Sequence, residues 1–72
     1  MIRGQVLFRF RPFQDRSGAY PLDKVTVVLE SGAKRTFDAN QENIGEAVQP
    51  GVNVEITSRG WLWWRRYTVV PA

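Results

Sequence analysis

The stretch GVNVEITSRGWLWWRRYTVV, residues 51–70, decides the fold. In residues 51–57 apolar side chains alternate strictly with glycine or polar side chains, which is the period of a β-strand with one buried face. The side chains expected to point inward are those of Val52, Val54 and Ile56. A turn follows at residues 58–60, and residues 61–70 are rich in the aromatic and β-branched residues that strands favour. The stretch therefore predicts two strands joined by a tight turn.

Residues 61–67, WLWWRRY, hold all three tryptophans of the chain beside two arginines and a tyrosine. In a regular strand one face carries Trp61, Trp63, Arg65, Tyr67 and Val69, and the other carries Leu62, Trp64, Arg66, Thr68 and Val70. One interpretation is structural, with one tryptophan row in the core and the other against a sheet edge or a dimer contact. The second is an exposed platform on which the rings stack with bases while Arg65 meets phosphate. The alternation of arginine with aromatic residues favours the platform, although an arginine paired with Glu55 would also explain it.

The rest of the chain predicts three more strands. From Ile2 to Phe10 the residues alternate, and this predicts a first strand. One face carries Ile2, Gly4, Val6, Phe8 and Phe10, and the other carries Arg3, Gln5, Leu7 and Arg9, extended by Arg11. A long loop is expected over residues 12–22, which contain two prolines and a Ser-Gly pair. Residues 24–30 and 33–37, joined at Ser31-Gly32, then predict a hairpin.

Residues 38–48 carry the one helical signal. Asp38 followed by Gln41 resembles a capping box, and Ile44, Ala47 and Val48 have the spacing of one helical face. We expect a helix of one to two turns that ends before Pro50.

Five short strands and one short helix predict a single all-β domain over residues 1–72, built as a small five-stranded antiparallel barrel. The order and lengths of the elements resemble those of the OB-fold, a five-stranded Greek-key barrel. A Src-homology-type small barrel also has five strands and a long first loop. The resemblance includes no sequence motif, and it favours binding over catalysis without naming a ligand.

The composition argues against an enzyme. The 72 residues include no cysteine and no histidine, so disulfides, thiolate metal sites and the commonest general base are excluded. The chain also lacks a glycine-rich phosphate loop and an acidic cluster with metal-ligand spacing, and we predict no cofactor and no metal. Arginines interrupt every apolar run in residues 1–13, so we expect no signal peptide, no membrane span and a cytoplasmic location.

The charges divide the chain into basic ends and an acidic middle. The net charge is +3. Residues 1–16 hold four arginines against one aspartate, residues 59–72 hold three arginines and no acid, and residues 17–58 hold three bases against six acids. If the two ends lie together, they form a basic surface of the kind that nucleic-acid binders show.

The leading hypothesis is a small module that binds DNA or RNA, single-stranded or in a sequence-tolerant way. Its predicted site comprises Arg3, Arg9, Arg11, Arg59, Trp61, Trp63, Arg65 and Tyr67. The alternative is a protein-interaction module, such as a small regulator, inhibitor or assembly subunit, that uses the same tryptophan and arginine surface. Leu7 and Val28 are apolar residues on faces expected to be polar, and they further predict a homodimer, since small domains often gain buried area by pairing.

Overall fold

Six β-strands form one curved sheet in the computed structural model, which describes residues 2–60 and 62–72. The strands are β1 (Ile2–Phe10), β2 (Lys24–Leu29), β3 (Lys34–Asp38), β4 (Asn43–Ile44), β5 (Asn53–Arg59) and β6 (Arg66–Pro71). Their order in the sheet is β3-β2-β1-β5-β6-β4, and all neighbours are antiparallel except β4 and β6. The prediction of an all-β chain is confirmed. The predicted closed barrel of five antiparallel strands is wrong, because the described sheet is mixed and stays open between β3 and β4.

The hairpin of β2 and β3 matches its prediction closely. The two strands pair from Lys24 opposite Asp38 to Val28 opposite Lys34, and Gly32 turns the chain between them with a φ of 89°. Thr26 and Thr36 lie opposite each other, with their hydroxyl oxygens 3.1 Å apart. The β-branched residues thus form the strand that their side chains favour.

Apolar side chains on the concave face of the sheet form the core. The fully or nearly fully buried members are Val6, Val25, Val27, Phe37, Val48, Val54, Ile56 and Val69. The curvature brings β3 toward β6, where the rings of Phe37 and Tyr67 meet edge to face with their centroids 5.4 Å apart. Burial of each such aliphatic side chain stabilises the fold by about 1.5–3 kcal/mol. The predicted inward pair Val54 and Ile56 is confirmed, and Val52 packs at the edge of this core.

A β-bulge inverts the predicted faces of the second half of β1. Val6 lies opposite Val27, whereas Phe8 lies opposite Thr26, so Leu7 is an extra residue on β1. One extra residue moves every following side chain to the other face. The alternation predicted from sequence is therefore right through Val6 and wrong from Phe8 onward. Phe8 and Phe10 are exposed on the convex face, and Arg9 points toward the core.

The predicted helix over residues 38–48 is also wrong. This segment consists of turns and of the short strand β4, which pairs with β6 through Asn43 opposite Thr68 and Ile44 opposite Val69. Asp38 caps a turn, since its carboxylate accepts the Asn40 backbone N–H at 2.9 Å. Val48 is fully buried. Ile44 and Val48 therefore pack against the core while Ala47 is exposed, and pairing with β6 outweighs a helical propensity that Gly45 already weakens.

Candidate nucleic-acid interface

The connection between β5 and β6 forms the most distinctive surface of the molecule. The two strands pair from Val54 opposite Pro71 to Arg59 opposite Arg66. Gly60 then turns the chain with a φ of 79°, and residues Leu62–Trp64 form one turn of 3-10 helix. The predicted strand from residue 61 to residue 70 is wrong in its first part, because β6 begins only at Arg66. The predicted site residue Trp61 lies outside the described residues.

We define the hairpin tip as residues Arg59, Gly60, Trp63, Trp64, Arg65 and Arg66. Trp63 is 86% exposed and Trp64 is 51% exposed. A Cβ atom on Gly60 would lie only 2.6 Å from Cε3 of Trp64, so the Trp64 ring rests on the glycine backbone while Trp63 projects into solvent. Exposed tryptophans of this size are uncommon on a surface that binds nothing. The 3-10 turn explains why both rings are accessible, since the two residues no longer alternate across a strand.

Three arginines surround these rings. Arg59 and Arg66 lie directly opposite each other across β5 and β6, an arrangement in which like charges repel. Among the described residues, Arg59, Arg65 and Arg66 form no ion pair with a carboxylate. Arg66 donates a hydrogen bond from Nη1 to the Arg65 carbonyl at 3.2 Å. The tip is therefore a concentrated positive surface whose arginines form no described ion pair, while the Glu42 carboxylate nearby accepts the backbone N–H of Tyr67.

A cleft of about 340 Å³ lies beside the tip, on the concave side of the sheet. Its lining comprises Ile2, Ile56, Thr57, Ser58, Arg65 and Tyr67. Three of these residues also border a smaller hollow of about 40 Å³, which extends the cleft toward Arg35 and Phe37. Arg65 thus belongs both to the tip and to the cleft, and no carboxylate is present among the described residues of either lining.

A larger hollow lies elsewhere, at the far ends of β2 and β5, and has a volume of about 490 Å³. It contains both charge signs, Arg3 and Glu30. The predicted site residue Arg3 lies at its rim, where Nη2 is 3.4 Å from Oε1 of Glu55. Glu55 partly neutralises Arg3, and no aromatic ring lines this hollow among the described residues. The hollow is therefore less suited than the tip to binding an anion that carries a flat ring.

Arg9 was predicted at the site, and the structure places it in the interior. Its side chain is 3% exposed. Nε and Nη2 donate to the two carboxylate oxygens of Asp23 at 2.9 and 2.8 Å, and Nη1 donates to the carbonyls of Gly45 and Val48 at 2.9 and 3.0 Å. This bidentate geometry is the strongest form of an arginine ion pair. Arg9 therefore holds β1, Asp23 and the turn at residues 45–48 together and presents no charge to solvent.

Arg11 joins the same network. Its Nη1 and Nη2 donate to Glu46 at 2.9 and 2.7 Å, its Nε lies 3.0 Å from Oδ2 of Asp23, and its guanidinium lies 4.2 Å from the centre of the Tyr20 ring. We call Arg9, Arg11, Asp23 and Glu46 the ion cluster. The hydrogen bonds that Arg11 donates to Glu46 raise the pKa of Arg11, the ion pair with Asp23 adds to this effect, and burial opposes it. Hydrogen bonds donated by Arg9, and then the ion pair with Arg11, hold the pKa of Asp23 below its usual value even though burial opposes the shift.

The predicted site residues therefore separate into groups. Arg59, Trp63 and Arg65 meet at the tip, and half-buried Tyr67 lies beside it in the cleft. Arg3 is on the convex face, next to Glu55, and Arg9 and Arg11 belong to the ion cluster. The arrangement adds Trp64 and Arg66, which were assigned to the opposite strand face. Their link to the site depends on the 3-10 turn and on the pairing of Arg59 with Arg66, and neither follows from strand alternation.

Searches of protein-family models, curated proteins and solved structures find no match to this chain. Within residues 2–60 and 62–72, no helix is long and apolar enough to cross a membrane. The same residues contain no group of three or more acidic side chains placed to hold a metal ion. The chemistry of the tip is thus the main guide to function.

Proposed function

We propose that the hairpin tip binds nucleic acid, as a single strand or in a sequence-tolerant way. The observation that carries this proposal is the pair of exposed tryptophans, Trp63 and Trp64, among three arginines that have no described carboxylate partner. The loop at residues 12–22 also carries one exposed ring, Phe13, and one arginine without a described ion pair, Arg16, whereas the tip brings together two exposed tryptophans and three such arginines.

The two residue types supply complementary interactions. Stacking of a base on an aromatic side chain contributes about 1–3 kcal/mol per base and tolerates any sequence, because every base has a flat face. Arginine contacts phosphate through two parallel hydrogen bonds and adds affinity that carries no sequence information. Trp63 stands clear of the sheet, so bases reach it easily when they are unpaired. A duplex keeps its bases stacked inside the helix, which favours single strands at this tip.

The distribution of charge supports the same proposal. The ion cluster contains two arginines and two carboxylates and so contributes no net charge. The chain has a net charge of +3, and residues 59–72 hold three arginines and no acid. The three arginines of the tip, which form no described ion pair, therefore give a local concentration of positive potential. Such a field attracts polyanions and speeds their association.

The competing proposal is a protein-interaction module that uses the same tip. Tryptophan and arginine are the residues most enriched in the hot spots of protein interfaces. The two proposals differ in their dependence on salt. Binding to nucleic acid releases cations that are condensed on the phosphates, so its affinity falls steeply as the salt concentration rises. A desolvated tryptophan contact with a protein depends much less on the salt concentration.

A fluorescence titration tests the proposal. All three tryptophans lie within residues 61–64, so fluorescence excited selectively at tryptophan, where Tyr20 and Tyr67 absorb little, reports on this segment alone. We expect quenching on addition of oligo-dT or oligo-U at low salt and recovery of the signal in high salt. An unchanged spectrum with both oligonucleotides would contradict the proposal, and quenching by a protein partner that persists in high salt would support the alternative.

The homodimer predicted from Leu7 and Val28 remains a proposal of its own. Leu7 is exposed at the bulge of β1, and Val28 is only partly buried on the convex face. Exposed Phe8 and Phe10 now extend the apolar surface beside them. Sedimentation at micromolar concentration tests this proposal: a species of twice 8.3 kDa is expected, and a monomer alone would contradict it.

A further inference from the structure

The cleft beside the hairpin tip has the features of a ligand site. Its walls are apolar, with Ile2 and Ile56 on one side and the half-buried ring of Tyr67 on the other. Its volume of about 340 Å³ is near the lower end of the range for ligand pockets, about 300–1,000 Å³. The cleft is large enough for one flat ring and too small for an extended cofactor.

The polar groups of the cleft favour an anionic, aromatic occupant. Arg65 lines the cleft on the tip side, and Arg35 borders the hollow that continues it. No lining residue described by the structure carries negative charge. The hydroxyls of Ser58 and Tyr67 form no hydrogen bond with any other described side chain or backbone group and so are available to an incoming donor or acceptor. A nucleotide has this combination of a flat ring, hydrogen-bonding edges and a phosphate.

The geometry of the hairpin separates its arginines. Arg59 and Arg66 lie opposite each other on β5 and β6, on the face that also carries Glu55. Ser58 and Tyr67 form the next pair and face the cleft, as does Arg65. Positive charge is therefore available on both sides of the tip, with the exposed rings at its end.

We propose that the cleft receives one base of a bound single strand, with the adjoining phosphate on Arg65. This inference rests on the proposed function of the tip and adds to it. In this arrangement a neighbouring base stacks on Trp63, and further phosphates lie near Arg59 and Arg66. The strand passes over the end of the hairpin, and part of the affinity comes from base burial and is insensitive to salt.

A pair of substitutions at Ser58 tests the cleft. Ser58 is exposed at the rim and belongs to a strand, so Ser58→Leu fills the cleft without disturbing the core, and Ser58→Ala is the matched control. The probes are the oligonucleotide dT8 and a strand of eight abasic sites that has the same phosphates. We expect Ser58→Leu to weaken dT8 binding about 5- to 150-fold, the value of one stacked base, and to leave the affinity for the abasic strand unchanged. Ser58→Ala removes the hydroxyl and adds no bulk, so it should weaken dT8 binding by at most the few-fold value of one hydrogen bond.

The outcomes distinguish the two proposals. If the parent binds dT8 and Ser58→Leu binds it equally well, the cleft proposal is overturned and the tip proposal stands. If the parent does not bind dT8, both are overturned. Methyl NMR on the unmodified protein gives a second readout that does not depend on the folding of a variant. Resonances of Ile2 and Ile56 should shift on addition of dT8, and unshifted methyls during saturable binding would overturn the cleft proposal.

Discussion

Two groups of arginines in this chain have the same chemistry and different environments. Arg9 and Arg11 lie within the ion cluster, where Asp23 and Glu46 neutralise them. The arginines of the hairpin tip form no ion pair with any described residue. The contrast shows that a count of basic residues at the two ends of a chain does not measure the charge available to a partner. The positions of the carboxylates decide how much positive charge is available to a partner.

Local backbone geometry produces the difference. The bulge at Leu7 turns Arg9 toward the core, and Asp23, which directly precedes β2, meets it there. A buried charge is tolerated only when it is paired and hydrogen-bonded, and Arg9 satisfies both conditions. Near the tip, the carboxylate of Glu42 accepts the backbone N–H of Tyr67 and forms no described ion pair with an arginine.

Removal of the Asp23 charge should have the largest effect. Asp23→Asn leaves Arg9, which is 3% exposed, without its counter-charge, and breaking a buried pair in this way costs about 3–5 kcal/mol. A domain of this length has a total stability of about 4–11 kcal/mol. We therefore expect a large fall in the denaturant midpoint, measured by urea unfolding. The control is Glu30→Gln, which removes an exposed carboxylate, and equal midpoints for the two variants would show that the ion cluster is not structural.

Truncation of Trp63 should have the next largest effect, on binding and not on folding. Trp63 is 86% exposed, so Trp63→Ala removes little packing and should leave the melting temperature unchanged. Affinity for dT8 should fall about 5- to 150-fold because one stacking surface is lost. The matched variant Trp64→Ala should lose some stability as well, since its ring packs on Gly60. A fall in the melting temperature for Trp63→Ala would contradict the assignment of this ring as a free surface.

Substitution of Gly60 should give a smaller effect that is local to the tip. A side chain is strained at the φ of 79°, at a cost of about 1–2 kcal/mol, and its Cβ would displace the Trp64 ring. We expect Gly60→Ala to shift the tryptophan emission and weaken binding while the sheet remains folded. Gly45→Ala is the control, because a Cβ there meets no atom within 4 Å. Identical spectra for the two variants would contradict the packing of Trp64 on Gly60.

Changes in pH should affect the ion cluster and leave the tip almost unaffected. The pKa of Asp23 is lowered in the folded protein by its bonds to Arg9 and Arg11, so its contribution to stability is present above the unfolded value of about 3.9 and is lost as pH falls through the lower folded value. Acid unfolding below about pH 4 is therefore expected. Binding should be constant from about pH 5.5 to 9, because the chain has no histidine, the side chain that ordinarily changes charge in that range. A titration of binding within that range would indicate a different set of contacts.

Sequence alone predicted the parts of the fold that depend on simple alternation. The strands predicted at residues 24–30, 33–37 and 51–57 were located to within two residues of β2, β3 and β5, because they contain β-branched residues and glycine turns flank them. The bulge at Leu7 was missed because nothing in the composition of the strand indicates an extra residue. The bulge nevertheless moves Phe8 and Arg9 to the opposite faces of the sheet from those predicted. The ion cluster was missed because it depends on that bulge, which turns Arg9 toward the core. Asp23 gains its role only from Arg9 and Arg11, which are distant from it in sequence.

The hairpin tip was predicted in part. The predicted site included Arg59, Trp61, Trp63, Arg65 and Tyr67, because residues of these types bind bases and phosphates, but it did not include Trp64 and Arg66. The 3-10 turn that exposes Trp63 and Trp64 together was not predicted, because aromatic residues also favour regular strands. The residues of the cleft come from both ends of the chain, and only the folded sheet brings Ile2 beside Arg65.

The salt dependence of binding tests the central comparison most directly. Affinity for a labelled dT oligonucleotide is measured across a salt series for the parent, for the double variant Arg59→Gln and Arg66→Gln, and for the control Arg16→Gln and Lys34→Gln, which removes the same charge from exposed sites elsewhere. Each lost phosphate contact on a single strand lowers the slope of log K against log salt by about 0.7. We predict a decrease of about 1.4 for the tip variant and no change in slope for the control. Equal slopes for the two variants would contradict the assignment of the tip arginines as the phosphate contacts.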